Sequence, residues 1–449
     1  MEKAIHSLKH ISEKLPWGGE VLLLDTGSII TAEDLAMLQA LHSRDPKGIM
    51  SHLEKLNEKG SGKMMESYYV GYGHKSIGDC ATTTIFIEGV SLLAAKAIQD
   101  TQLYNGQECS TRYIDFSKQP FLNSNLNVEN NIITDKLRRF YLKATPILEE
   151  FLKGKYKILE NEDDKVYTKA IKARAFDILR GFLPAGATTN LAWTATLRQM
   201  ADRLQLLRNH PLEEVRIIAD KIQKVVSVGN PNSFGHKIYE NNESYNTKFM
   251  KNYYLSHDKN ILDNMTMEWN GIDKYLLLQY KTLIEERPNK TELPKVIGIT
   301  GSARFSFLLD YGSFRDFQRH RSVIQRMPLL TMDYGFENWY LSELPNDLKE
   351  EVISLLKEIE KDVLKFNDIE RQYYIPIGYK VAIQYTGDIS ALTYIAEIRS
   401  TKFVHPTLQV KAIQLADILE KEFGIKLYID KTDVGRFDIK RGSQDISEK

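Results

Sequence analysis

The two halves of this sequence pass through the same series of landmarks. In the first half a helical stretch leads to Leu183-Pro184-Ala185-Gly186, then Trp193-Thr194, Arg208, His210-Pro211 and a further helical stretch. In the second half a helical stretch leads to Ile375-Pro376-Ile377-Gly378, then Tyr385-Thr386, Arg399, His405-Pro406 and a further helical stretch. The proline-to-threonine distance is the same in both. Chance likeness between helical segments is the competing reading. A duplication limits the fold to an architecture that can be built twice from one chain. The boundary falls near Val225 to Gly229, so two domains are expected, 1–225 and 226–449.

Composition narrows the class. The chain has 449 residues, enough to bury a sizeable core without staples. Lys plus Arg is 60 and Asp plus Glu is 60, so the net charge is zero. That argues against a nucleic-acid coat, although a local basic patch survives the argument. Two cysteines, Cys80 and Cys109, exclude a disulfide scaffold and a four-thiolate zinc site within one chain. The longest apolar run, Ile85 to Ile98, is interrupted by Glu88 and Lys96, so no membrane span is expected. The first nineteen residues alternate charged and apolar side chains and lack a signal-peptide core. Together these features describe a cytoplasmic protein with neither membrane nor nucleic acid as a partner.

Periodicity supplies the coarse elements. Leu348, Val352, Leu355, Leu356, Ile359, Val363 and Leu364 form one stripe of a helix over 347–369. Residues 136–156 read similarly, with Pro146 as a kink or break. Thr82–Ile87 reads as a strand. The Asn-rich stretches 123–131 and 230–246 read as loops, and 440–449 as a frayed tail. Gly71, Gly73 and Gly78 miss the dinucleotide-binding spacing and read as a turn. No H-E-x-x-H, P-loop or zinc spacing appears, so no metal is expected.

Two further segments precede the repeats, Gln107-Glu108-Cys109-Ser110-Thr111-Arg112-Tyr113 and Arg315-Asp316-Phe317-Gln318-Arg319-His320-Arg321-Ser322. Here the sequence resembles the flavin-dependent thymidylate synthase (ThyX) family. That family carries R-H-R, seven residues, then the serine of E-x-S-x-R-Y, with G-H-x-S-x-x-E upstream. The first half has Gly73-His74-Lys75-Ser76-Ile77-Gly78-Asp79 and an E-x-S-x-R-Y of Glu108, Ser110, Arg112 and Tyr113, but Asp100-Thr101-Gln102 in place of R-H-R. The second half keeps R-H-R as Arg319, His320 and Arg321, but has Met327, Leu329, Thr331 and Met332 in place of E-x-S-x-R-Y. Each half keeps what the other lost.

The resemblance implies an α+β fold of two tandem domains. Each would have a mixed or antiparallel sheet with a long-helix bundle, and the two would be related by a pseudo-two-fold. It implies conversion of dUMP to dTMP with FAD, and with NADPH and methylenetetrahydrofolate as co-substrates. The sites would draw on both halves, and two chains would form a homodimer, a pseudo-tetramer of domains. Nucleotide binding would fall to Glu108, Ser110, Thr111, Arg112, Arg180 and Arg319. Flavin binding would fall to His74, Ser76, Asp79, Arg198, Arg319, His320 and Arg321. Arg208 and Arg399 both match the arginine that polarises the uracil ring, and Arg399 fits the spacing better. In the second half Gln372 takes the place of Arg180, and Ser390 that of Arg198.

The chemistry suits these residue types. Arginine presents planar, permanently charged forks that grip phosphate oxygens in pairs. A cation beside the uracil N3 favours its deprotonated, more nucleophilic form. The flavin does the difficult chemistry while side chains position and polarise.

Some features have plainer readings. A lone arginine is commonly a solvated surface charge. His210 and His405 before proline mark helix starts, and Cys109 reads as a small buried filler without a basic partner to activate it. Asp100 would repel a phosphate. Asp316 stands where the family usually has glutamine, which opens the possibility of another pyrimidine nucleotide. The alternative from a different class is a degenerate nucleotide- or flavin-binding protein without turnover.

Overall fold

The computed structural model describes residues 10–24, 31–42, 49–71, 73, 75–129, 131–430 and 434–443. Among the described residues it is a mixed α and β chain with two four-stranded antiparallel sheets and many helices. Its contacts divide it into two compact units. Unit 1 comprises 1–113, 120–129 and 187–254; unit 2 comprises 114–119, 130–186 and 255–449. The units do not follow a division of the sequence at residue 225, because 130–186 of the first half folds with unit 2.

In unit 1 the sheet order is β1 (His10–Lys14), β2 (Glu20–Leu24), β3 (Thr82–Ser91), β4 (Thr188–Thr196). Between β2 and β3 lie α1 (Ala32–His42), α2 (Ile49–Lys59) and short helical turns at Gly62–Met64, Met65–Gly71 and Lys75–Gly78, and α3 (Leu92–Gln99) follows β3 directly. The expected strand at 82–87 is thus the start of β3. Val21, Ile85, Ile87 and Trp193 are buried on the sheet, with Ile218, Ile222, Val225 and Val226 buried on α7 (Glu213–Gly229), which packs on β1 and β2. β3 bulges between Ile87 and Val90, where Gly89 takes a φ of 67° that a side chain would disfavour.

Unit 2 holds α4 (Ile132–Lys155) and α5 (Asp164–Leu179). α4 runs unbroken through Pro146, contrary to a break there; the preceding Thr145 hydroxyl donates to the Tyr141 carbonyl at 2.7 Å. The sheet order is β5 (Thr266–Asn270), β6 (Ser302–Asp310), β8 (Lys380–Asp388), β7 (Ile324–Arg326). α9 (Tyr311–Phe317) follows β6, and α10 (Asn346–Val363) buries Leu348, Val352, Leu356, Ile359 and Val363 as the stripe requires. The helix stops at Val363, and Leu364 lies exposed.

The order strand, helix, long helix, 3-10 turn, strand, helix, helix can be traced twice, with a 3-10 turn at Thr111–Tyr113 and α5 added in the first series and β7 and a short helix at Asn338–Ser342 added in the second. The last two helices of each series are α6 (Leu197–Leu207) with α7, and α11 (Ile389–Arg399) with α12 (Pro406–Phe423). The two proline segments pair with each other inside unit 2. Ala185 N–H donates to Ile375 O (2.9 Å) and Ile377 N–H to Leu183 O (2.8 Å). Gly186 N–H donates to Tyr373 O (2.9 Å) and Gly378 N–H to Gly181 O (2.7 Å). Exchanging the halves turns each bond into its mate. A Cβ on Gly378 would stand 2.5 Å from the Phe336 ring, so a larger residue would push the segments apart.

Two expected irregular stretches are ordered. Residues 240–246 open a helix, α8 (Glu240–Leu255), despite the poor helix propensity of asparagine. Tertiary contacts of Glu243, Met250 and Tyr254 override it. Residues 439–443 form a 3-10 turn packed on α5, where Arg441 pairs with the fully buried Asp177. Only 444–449 of the expected tail lie outside the described residues.

Candidate functional site

In unit 2 the chemistry-bearing side chains gather where α9 ends. Asp310 caps that helix, accepting from Ser313 N–H at 2.8 Å. It is fully buried and also accepts from the Tyr340 hydroxyl (2.7 Å) and the Thr407 hydroxyl (2.6 Å). Ser313 accepts from Arg180 at 3.1 Å, and its hydroxyl lies 3.0 Å from Nδ1 of His405. Arg180 itself is buried, at 6% exposure. Burial disfavours its charge, but Tyr340, Asp177, Asp316 and Asp310 more than compensate and hold its pKa above the usual range. Burial keeps His405 neutral, its pKa well below the usual value. The structural role expected of His405 is therefore seen: it ties the start of α12 to α9 and α5.

The R-H-R segment follows. Arg319 is exposed, 3.9 Å from Asp316; His320 is buried; Arg321 is half-buried. Arg399, the last residue of α11, donates from Nε to Nε2 of His320 at 2.6 Å and from Nη2 to the Asp316 carbonyl at 2.7 Å. His320 is pushed down to about 3 by burial and then by Arg399, so it is neutral and accepts at Nε2. Its imidazole holds Arg399 in place. Arg319 and Arg399 lie beside Asp316, and the buried Arg180 is held by Asp177, Asp316 and Asp310; such guanidinium groups suit a phosphate and a planar polar ring.

The segment where the second half lost its serine has become structural. Met327, Leu329 and Thr331 are buried. Gln372 clamps the backbone there: its amide donates to Leu330 O (2.8 Å) and accepts from Leu330 N–H (2.7 Å). The substitution of Gln372 for arginine thus has a packing reason that no motif signals.

In unit 1 the Glu108 segment runs along β4. Cys109 N–H donates to Asn190 O, and Ala192 N–H to Gln107 O, both at 2.8 Å. Gln99 donates to the Glu108 carboxylate at 2.8 Å. Ser110 accepts from Arg112 N–H at 3.4 Å; Thr111 is buried and Arg112 exposed. Cys109 is half-buried and not the buried filler expected, with Sγ 3.7 Å from the Ser110 carbonyl oxygen. Asp79 and Arg198 come together at 2.9 Å, while Ser76 is exposed nearby in sequence. His74 lies outside the described residues.

The first-half counterparts of R-H-R and Arg399 are differently engaged. Asp100 pairs with the buried Lys96 at 2.7 Å and accepts from the Tyr254 hydroxyl at 2.8 Å. Arg208 makes a two-bond ion pair with Glu243 of α8 at 2.8 and 2.7 Å. Of the two arginines considered for the uracil ring, Arg208 is thus tied to a carboxylate and Arg399 to a neutral imidazole. The roles of Lys96, Glu243 and Tyr254 were missed in the sequence; the only hint was the adjacent Tyr253-Tyr254.

The family model described as thymidylate synthase complementing protein matches residues 30–232. The resemblance to the ThyX family is therefore shown. Among curated relatives, a UPF0159 protein of Chlamydia muridarum is 23% identical over 436 residues, covering 84% of this chain and 82% of the relative. A UPF0159 protein of Thermoplasma acidophilum is 24% identical over 430 residues, covering 80% and 86%. The relatives' similarity extends through both halves of the sequence, well past the ThyX-like segment. Among the described residues no helix is long and apolar enough to cross a membrane.

Proposed function

We propose that this chain is a flavin-dependent thymidylate synthase that methylates dUMP with methylenetetrahydrofolate, FAD and NADPH. The live site draws on both halves of the sequence, and two chains associate as a homodimer. The observation that carries the reading is Arg180. It comes from the first half, yet it is buried against Ser313 on the helix that leads into Arg319, His320 and Arg321 of the second half.

In this reading Arg180, Arg319, Ser110 and Arg112 bind the nucleotide phosphate, and Glu108 orients the donors. Thr111 shapes the segment from its buried position. Arg399, fixed by His320 and the Asp316 carbonyl, places its charge beside the uracil ring and favours loss of the N3 proton. For FAD, the half-buried Arg198 beside Asp79 is a guanidinium already oriented at an accessible surface, which fits a pyrophosphate. Ser76, His74, Arg319, His320 and Arg321 complete the set that the family would use, with His320 acting through Arg399. FAD would supply the passage of electrons from NADPH to the transferred carbon.

Asp316 favours one variation. Its carboxylate sits beside Arg319 and offsets part of the burial that lowers the Arg399 pKa, where the family has a neutral glutamine. A pyrimidine nucleotide other than dUMP is therefore the second reading. An assay with dUMP, FAD, NADPH and methylenetetrahydrofolate separates the cases. Formation of dTMP that is lost in Arg399→Ala supports the first. Bound flavin and nucleotide without product would point to the other nucleotide or to a binding protein.

A further inference from the structure

We infer that α8 fills the first half's counterpart of the nucleotide site, so that the chain offers one such site and not two. The inference rests on the proposed function for its choice of probe. It rests on the fold for its geometry.

The counterpart is defined by position. Asp100 follows the helix after β3, as the R-H-R segment follows the helix after β6, and Arg208 follows α6 as Arg399 ends α11. α8 lies against both places within unit 1. Near its start Glu243 takes Arg208 in two hydrogen bonds and accepts a third from Asn209 at 2.8 Å. One turn on, the Thr247 hydroxyl donates to the Asn209 side chain at 2.6 Å. Near its end Tyr254 donates to Asp100 at 2.8 Å, and its ring meets His210 edge-on at 4.2 Å. Lys96 is 2.7 Å from Asp100 and lies 4.7 Å from the centre of the same ring. Tyr254 is 2% exposed.

Each feature that a nucleotide would need is thus matched by a group of the chain itself. The carboxylate of Glu243 stands in for an anion at Arg208. The Tyr254 ring fills space beside Lys96. The acid at Asp100, which would repel a phosphate, is neutralised by Lys96 instead. The substitution of Asp100 for arginine and the presence of α8 form one arrangement: a closure buried at Lys96, Asp100 and Tyr254 and half-buried at Arg208 and Glu243, in which a bare arginine would lack a partner.

Two measurements on the full-length protein test this. Phenylglyoxal labelling read by peptide mass spectrometry should modify Arg208 about tenfold more slowly than the exposed Arg112, the factor a charge-assisted pair of hydrogen bonds supplies. Glu243→Gln should remove that protection while leaving the labelling of Arg399 unchanged. Arg208 reacting as fast as Arg112 in the unaltered protein would overturn the closure. Equilibrium dialysis with labelled dUMP and excess FAD should then give one nucleotide per chain. Two per chain would overturn the inference and leave the proposed function standing. No binding would sink the proposed function, and the labelling result would still decide the closure.

Discussion

The strand-to-helix corner is built twice in this chain, once in each unit, with the same bond run in opposite directions. In unit 1 the corner residue is Ser91, which caps α3 and donates its hydroxyl to Glu214 on the last helix at 2.6 Å. In unit 2 the corner residue is Asp310, which caps α9 and accepts from Thr407 on the last helix at 2.6 Å. Hydroxyl and carboxylate have exchanged places, and both carboxylates are fully buried. The corner needs one carboxylate and one hydroxyl, whichever strand or helix supplies them. The neighbouring positions diverge instead: unit 1 covers Asp100 and Arg208 with α8, whereas unit 2 keeps Arg399 against a neutral histidine with Arg319 exposed. The structural bond survives exchange of partners, while Arg208 and Arg399 have taken different partners in the two units.

The sharpest way to break this comparison is to remove a corner carboxylate. Asp310→Ala leaves Thr407, Tyr340 and Ser313 N–H without their buried acceptor, and should cost about 3–5 kcal/mol of stability. Denaturant unfolding would read the loss, and a change below about 1 kcal/mol would mean that the corner is not a shared requirement. The next effect is on binding. Arg112→Ala should weaken dUMP by about ten- to a hundredfold, the worth of one charge-assisted phosphate contact. Unchanged affinity in a titration would remove Arg112 from the site.

The last effect concerns His320 and acid. Its folded pKa, about 3, lies below the unfolded value of a histidine, about 6.5. Between these values only the unfolded chain takes up the proton, so stability is present at neutral pH and lost as pH falls. His320→Gln should flatten that loss by about 1.4 kcal/mol per pH unit in this window. Urea midpoints at a series of pH values from 7 to about 4.5 would show it. An unaltered slope would mean that His320 is not held neutral by burial beside Arg399.

Much of this architecture was legible in the residues. The repeat, β3, the stripe of α10 and the exchange of signature motifs all rest on local pattern or on side-chain identity. What was not legible rests on contacts between distant segments. Nothing local says that 130–186 folds with unit 2, or that the proline segments of the two halves bond to each other. The stretch 240–246 reads as a loop because asparagine favours turns, and only the Arg208–Glu243 pair shows why it is helical. Pro146 reads as a break because its missing N–H is a local fact, while the helix around it is held by packing. Arg180, Arg319, His320 and Arg399 were identified by type and position. That His320 acts on Arg399, and that Gln372 clamps the Leu330 backbone, required the structure.

The central claim is that the motifs divided between the halves still make a flavin and nucleotide site. It is tested most directly by the visible absorbance spectrum of the purified protein with FAD, before and after dUMP is added. The account predicts a bound-flavin spectrum that dUMP perturbs, placing both ligands in one site. A protein that stays colourless and takes up no FAD would contradict it.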